Sequence, residues 1–170
     1  MLLETVILGL FPAAMIYAAA SDLVTMTISN RLSIALFFGF FAVAALIGMP
    51  LPDMGRHAIA SAIVLVFAFG FFARGWIGGG DAKLATATAL WIGFSHLMDY
   101  LLVAAIIGGA LTLVILQARK LPLPQFLARQ PWIARLHAVE TGIPYGIALA
   151  VAGLIVYPDT VFMQLVPSVF

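Results

Sequence analysis

The chain has 170 residues, of which 64% are hydrophobic and 9% charged, with a net charge of +1, and a mean hydropathy of +1.16. Ordinary soluble domains are roughly 45–50% apolar and about 25% charged, so this composition excludes a soluble globular protein and points to an integral membrane protein. The charge balance gives no reason to expect a nucleic-acid partner, and with no cysteine there is neither a disulfide nor a thiolate metal site.

An apolar stretch at 2–20 comes first. It has the length of a signal peptide but carries Glu4 where a basic n-region belongs, so it is expected to remain as a membrane span. Ser21 and Asp22 end it, and a short polar connection leads through Asn30 and Arg31 to a second span at 32–48. There Phe37, Phe38, Phe40 and Phe41 are expected to face lipid. Pro50, Pro52, Asp53 and Gly55 predict a turn, and a third span follows at 57–73. A glycine loop at 74–83 contains Gly78-Gly79-Gly80-Asp81-Ala82-Lys83-Leu84. The fourth span, 84–97, is short and holds Thr86, Thr88 and Ser95, which calls for shelter by neighbouring helices. A tight turn at Asp99 precedes a fifth span at 100–116, whose Gly108-Gly109-Ala110 admits close helix approach. The polar segment 117–140, with Trp132, Ile133 and Leu136 beside Arg129 and Arg135, predicts a surface helix at the lipid interface. A last span covers 142–156, and a short apolar tail follows Pro158 and Asp159. The fold expected is all-α and polytopic, with about six transmembrane helices of roughly 20 residues each, forming a single membrane-embedded domain over 1–170.

Charge placement orients this layout. Loops after the first, third and fifth spans carry Arg31, Arg74, Lys83, Arg119, Lys120, Arg129 and Arg135, leaving only Arg56 opposite. The positive-inside tendency makes these loops cytoplasmic and puts both termini outside. Asp22 and Asp81 then emerge on the same face, whereas Glu4, Asp53, Asp99 and Asp159 lie on the other. A carboxylate at membrane depth is costly unless it meets water or a protein partner, which makes such a residue a candidate functional group.

Two carboxylates a few ångströms apart share one proton and titrate as a coupled unit. The ionised member can take a proton from a water while the protonated member polarises a scissile carbonyl, and neither metal nor cofactor is needed. Gly78, Gly79 and Gly80 suit this arrangement because they can take up φ > 0 and bring backbone close to an extended substrate strand. Each piece has a plainer reading: Asp22 as a helix cap, the glycines as a flexible turn, Asp81 and Lys83 as a structural ion pair. Ser95-His96 after Gly93 is only a faint likeness to an intramembrane serine protease. His57, His96 and His137 are scattered and form no His-Glu-x-x-His helix, which argues against a zinc protease.

At these residues the sequence resembles the type IV prepilin leader peptidases, membrane aspartic proteases of the Gly-x-Gly-Asp class. The resemblance rests on Asp22 with Ile28-Ser29-Asn30 after it, on Gly78-Gly79-Gly80-Asp81-Ala82-Lys83-Leu84, and on Ile143-Pro144-Tyr145-Gly146-Ile147-Ala148. It implies that Asp22 and Asp81 are the catalytic pair, that Gly78 and Gly80 are the motif glycines, and that Lys83 and Asn30 support the site. Ser29 stands where the family usually has proline. The resemblance further implies removal of the leader from pilin-like precursors at the cytoplasmic face of the inner membrane, with the lipid bilayer and pilus assembly machinery as surroundings. Lacking the paired cysteines of the larger enzymes, the chain is similar to the short branch that serves Flp-type or tight-adherence pili, without the methylating activity. The competing readings are a proton-coupled transporter or small channel, a non-catalytic membrane factor of a pilus or secretion machine, and a presenilin-like protease, whose Tyr-Asp order is reversed here at Asp99-Tyr100.

Overall fold

A computed structural model describes residues 2–164, so the last part of the expected apolar tail, from 165 on, and the side chain of Glu4 lie outside the described residues. In chain order the helices are α1 (Leu2–Thr25), α2 (Asn30–Leu46), α3 (Leu51–Ala73), α4 (Gly79–Ile92), α5 (Leu97–Ala118), α6 (Gln125–Ala128), α7 (Pro131–His137), α8 (Tyr145–Val156) and α9 (Val161–Gln164). Short 3-10 turns at Phe94–His96 and Tyr157–Asp159 join α4 to α5 and α8 to α9.

The all-α, polytopic membrane fold expected from composition is what forms, but the spans are unequal. Thr5–Thr25, Leu51–Ala73, Phe94–Ala118 and Tyr145–Gln164 are long and apolar enough to cross a membrane, and α2 is a shorter apolar helix. α4 has only 14 residues, about 21 Å at 1.5 Å per residue, short of the roughly 30 Å hydrocarbon layer. Its length is tolerated because protein encloses it. Ala82, Leu84, Ala85 and every residue from Ala87 to Ile92 are buried, against α2, α3, α5 and α8. The alanines of α4 leave room for those helices to close in. α1 packs on α2 and α8, and α5 on α8, which completes the bundle.

Helices extend further into polar sequence than the apolar runs suggest. α1 continues to Thr25, which places Asp22 in its last turns rather than beyond it. α3 starts at Leu51 with Pro52 in its first turn, where the missing N–H removes no helical hydrogen bond. The turn between α4 and α5 falls at Gly93 (φ 74°) and the following 3-10 residues rather than at Asp99, which lies in the first turn of α5. The expected surface helix is two short helices, α6 and α7, separated by Arg129 and Gln130. Gly108 does admit a neighbour, since a Cβ there would lie 2.9 Å from the Tyr145 ring, whereas Gly109 faces open space.

The end of the bundle remote from Asp22 and Asp81 is an aromatic core. Trp91 is fully buried and lies 5.4 Å from Phe11, 5.2 Å from Phe162 and 6.0 Å from Phe40 between ring centroids. Phe40 thus belongs to the core, contrary to the lipid-facing expectation that Phe37 and Phe38 do satisfy. Polar atoms in this region are matched: Trp91 Nε1 donates to the Leu36 carbonyl (2.9 Å), Tyr157 Oη to Ile7 (3.0 Å) and His57 Nδ1 to Leu90 (2.8 Å). In a medium without water such pairing is what makes a polar aromatic residue tolerable. Truncating this centre, as in Trp91→Ala, is expected to cost about 3–5 kcal/mol. The measurement is the melting temperature in detergent, with Phe38→Ala, whose ring is 66% exposed, expected near wild type. Equal melting of the two variants would contradict the assignment of this core.

Candidate active site

The Asp22 and Asp81 side chains line one cleft of about 380 Å³, together with Met26, Thr27, Ile28, Gly78, Gly79, Gly80, Gly142 and Ile143. Three chain segments build it: the end of α1 with the turn into α2, the start of α4, and the approach to α8.

The first segment is knitted by hydroxyls. Ser21 Oγ donates to the Thr27 carbonyl (2.9 Å) and Thr25 Oγ1 to the Ser21 carbonyl (2.7 Å). Met26 ends the helix in the left-handed region at φ 55°, its N–H donating to the Asp22 carbonyl at 2.8 Å. That conformation disfavours a residue with a Cβ by about 1–2 kcal/mol, so the surrounding hydrogen bonds must hold it. Ser29 then caps α2, its Oγ accepting from Arg31 N at 3.2 Å.

Asp22 is only 5% exposed, and its Oδ2 accepts the backbone N–H of Gly146 at 2.8 Å. Gly146 is in the first turn of α8, where N–H groups lack intrahelical partners and the helix dipole is positive. Asp81 occupies the matching place in α4, three residues after the N-cap Gly78, ahead of the apolar stretch that begins at Leu84. Its carboxyl turns back over Gly78, as the acid of a capping box does. Burial first, and then the charge of Asp22, push the Asp81 carboxyl up to about 6, while the N–H groups of Gly78 and Gly146 pull the other way. The same Gly146 amide therefore acts on both acids.

The glycines serve a purpose other than the expected φ > 0. Gly78 is extended at φ −70°, and Gly79 and Gly80 are already helical; the glycines with positive φ are Gly48, Gly75 and Gly93. What the run provides is space. A Cβ on Gly80 would lie 3.2 Å from Ile28 Cβ, one on Gly79 3.1 Å from the Phe72 ring, and one on Gly78 3.0 Å from Asp81 Oδ2. The start of α4 can thus sit directly against the 26–28 turn, which brings the two acids to one cleft.

Lys83 and Asn30 do not line this cleft. Lys83 Nζ donates to Asn30 Oδ1 at 2.8 Å, tying the first turns of α4 and α2 together, and both border a neighbouring groove with Phe37 and Phe38. The plainer reading of Lys83 as the ion-pair partner of Asp81 is replaced by this bond. Met26, Thr27, Gly142 and Gly146 were not singled out as site residues from sequence. Only Gly146 had a signal, its place in the Ile143–Ala148 stretch; nothing in a methionine announces a left-handed turn. Among the described residues no group of His, Asp and Glu could hold a metal ion.

A family model described as the type IV leader peptidase family matches residues 9–113, well over half of the chain. The matched range takes in Asp22, Asn30 and the whole Gly78–Lys83 stretch and stops short of Gly146. No curated protein and no solved structure matches the chain.

The close fit at Gly146 can be tested directly. A Cβ there would lie 2.7 Å from Asp22 Oδ2 and 2.6 Å from Ile28 Cδ1, whereas one on Gly142 meets nothing within 4 Å. Gly146→Ala is expected to destabilise by about 1–3 kcal/mol through overpacking, and Gly142→Ala to melt as the wild type does. Identical melting curves for the two variants would show that the first turn of α8 has slack.

Proposed function

The chain belongs to the type IV leader peptidase family, and on that premise we propose that it is an aspartic endopeptidase whose catalytic pair is Asp22 and Asp81. The substrate class is a prepilin of the Flp-like kind, cut at the cytoplasmic face of the inner membrane, with both termini of the enzyme on the outer side and the whole of 1–170 acting as one membrane-embedded domain. Its membership already makes it a peptidase; the observation that supports the aspartic assignment is that both carboxyls line one cleft, where Asp22 takes the Gly146 N–H.

In this mechanism the pair holds a single proton. Asp81, held up to about 6 by burial and by its neighbour, keeps it, and Asp22, with the Gly146 N–H donated to it, is the ionised member. Asp22 takes a proton from a water lying between the two as that water's oxygen attacks the scissile carbonyl carbon. Asp81 gives its proton to the carbonyl oxygen, which becomes the hydroxyl of a tetrahedral intermediate. Collapse returns that proton to Asp81 and breaks the C–N bond, and the proton on Asp22 passes to the leaving amine. The Gly78, Gly79 and Gly80 run lets the start of α4 approach the cleft, and Lys83 with Asn30 fixes α4 against α2 from outside it.

The location suits such a substrate. A pilin precursor couples an apolar helix to a charged leader, so its cleavage site lies at the depth of a helix end, where Asp22 and Asp81 are. The basic loops share the face of this cleft, which by the positive-inside tendency is cytoplasmic.

Asp22→Asn and Asp81→Asn are each expected to slow leader removal by at least about 10²-fold, the lower bound for losing an acid–base group, with unchanged protein in the membrane. Co-expression with a prepilin and mass spectrometry of the mature N-terminus measures this, and normal processing by either variant would reject the pair. The pH dependence has a definite sign. Catalysis needs the proton on Asp81, so kcat/KM should fall as pH rises through about 6, and fall again at acid pH where both members are protonated. A descending limb already complete near pH 4 would be inconsistent with a proton held on Asp81.

A further inference from the structure

We propose that Arg119 is a positioning residue for the acid pair, acting through the loop that leads into α8. The inference rests on the aspartic-peptidase reading, because it concerns how Asp22 is held. Arg119 is the residue after α5, and its guanidinium is spent on backbone. Nε donates to the Leu136 carbonyl at 2.9 Å, and one terminal nitrogen to the carbonyls of Thr141 at 3.1 Å and Gly142 at 3.0 Å and to Thr141 Oγ1 at 3.2 Å. The Thr141 hydroxyl donates in turn to the carbonyls of Arg135 and, at 2.8 Å, of Ala138. One planar cation thereby gathers the end of α7 and the loop after it into a fixed shape, a geometry that the fork of arginine can satisfy and the point charge of lysine cannot.

That loop matters because of where it goes. Gly142 and Ile143 line the cleft, and Gly146, four residues beyond the Arg119 contact at Gly142, carries the N–H on Asp22. A second arginine closes the arrangement from the other side: Arg135 donates to the Val24 carbonyl at 2.9 Å, two residues from Asp22. Held between α5 and the end of α1, the loop helps set the distance from the Gly146 amide to the Asp22 carboxyl, together with the Thr112 Oγ1–Tyr145 Oη hydrogen bond at 2.9 Å that ties the first turn of α8 to α5. Among the described residues it is the Arg119 guanidinium that ties Thr141 and Gly142 to the end of α5. An N–H moved away from a carboxylate no longer favours its ionised form, so the pair's acid–base behaviour should change as well as its rate.

The experiment compares Arg119→Gln and Arg119→Lys with wild type and with Asp22→Asn and Asp81→Asn, using purified enzyme in detergent and a prepilin substrate. Expected for Arg119→Gln is a kcat lowered tenfold or more with KM within about threefold of wild type, and a low-pH limb of the pH–rate profile displaced to higher pH. Arg119→Lys should recover part of kcat and part of the displacement. Thr141→Val, which removes one acceptor of the guanidinium and leaves the cation in place, should move the profile in the same direction and decides the matter if Arg119→Gln does not fold. A wild-type profile in Arg119→Gln, or in Thr141→Val where only that variant folds, overturns the inference, as does a loss of rate explained entirely by a smaller folded fraction. If either Asp variant processes the prepilin normally, the catalytic assignment of the pair fails first and this inference falls with it, which separates the two failures.

Discussion

The candidate site of this protein depends on one backbone amide that two acids can both feel. Gly146 N–H meets Asp22 directly and also favours the ionised form of Asp81. Burying a carboxylate among apolar helices is costly unless hydrogen-bond donors or positive dipoles replace water. Here the unpaired N–H groups and positive dipole ends of α4 and α8 supply that replacement. The arrangement requires glycine at 146, because a Cβ would occupy the space of the Asp22 carboxyl.

Much of this was legible in the sequence, and the parts that were not have physical causes. Fold class follows from apolar runs, whereas the count of about six full spans does not hold, since four helices are long and apolar enough to cross a membrane and α2 and α4 are shorter; the placement of Asp22 and Asp81 together follows from the skewed placement of basic residues. Helix ends were misplaced because polar side chains such as Asp22, Asp53 and Asp81 can cap or continue a helix at a membrane surface, so loss of hydrophobicity does not mark the end of helical backbone. The glycine run was assigned a dihedral role when its role is steric, and that distinction depends on Ile28 and Phe72, which come from other helices. Phe40 reads like its neighbours Phe37 and Phe38 until the position of Trp91 is known. The left-handed turn at Met26 has no compositional sign, since the hydroxyls of Ser21, Thr25 and Thr27 enforce it.

The two ends of the bundle divide the work. At one end rings from α1, α2 and α9 pack around Trp91 of α4, and the close approach of the His57 ring to Gly93 locks the end of α4 against α3. Ser61 Oγ donating to the Thr86 carbonyl at 2.9 Å continues that registration along the helix. α4 is therefore fixed in rotation and height over most of its length, and its first turn is presented to the cleft at a set position. A short enclosed helix suits this role better than a long lipid-facing one, because its neighbours leave it no freedom to tilt.

The partner chosen by Lys83 bears on how the proposed pair would keep its proton. Two residues from Asp81 in sequence, Lys83 nonetheless turns away to Asn30 on α2, and the charge that acts on Asp81 is the negative one of Asp22. A cation beside Asp81 would have lowered its carboxyl into the usual range and favoured two ionised acids, a state with no proton to give to a carbonyl oxygen. With the lysine used to join helices, burial and like charge act together, and amides alone oppose them. A pair so placed favours one negative charge over two, which is the condition that the proposed water-mediated peptide hydrolysis by two carboxyls would require.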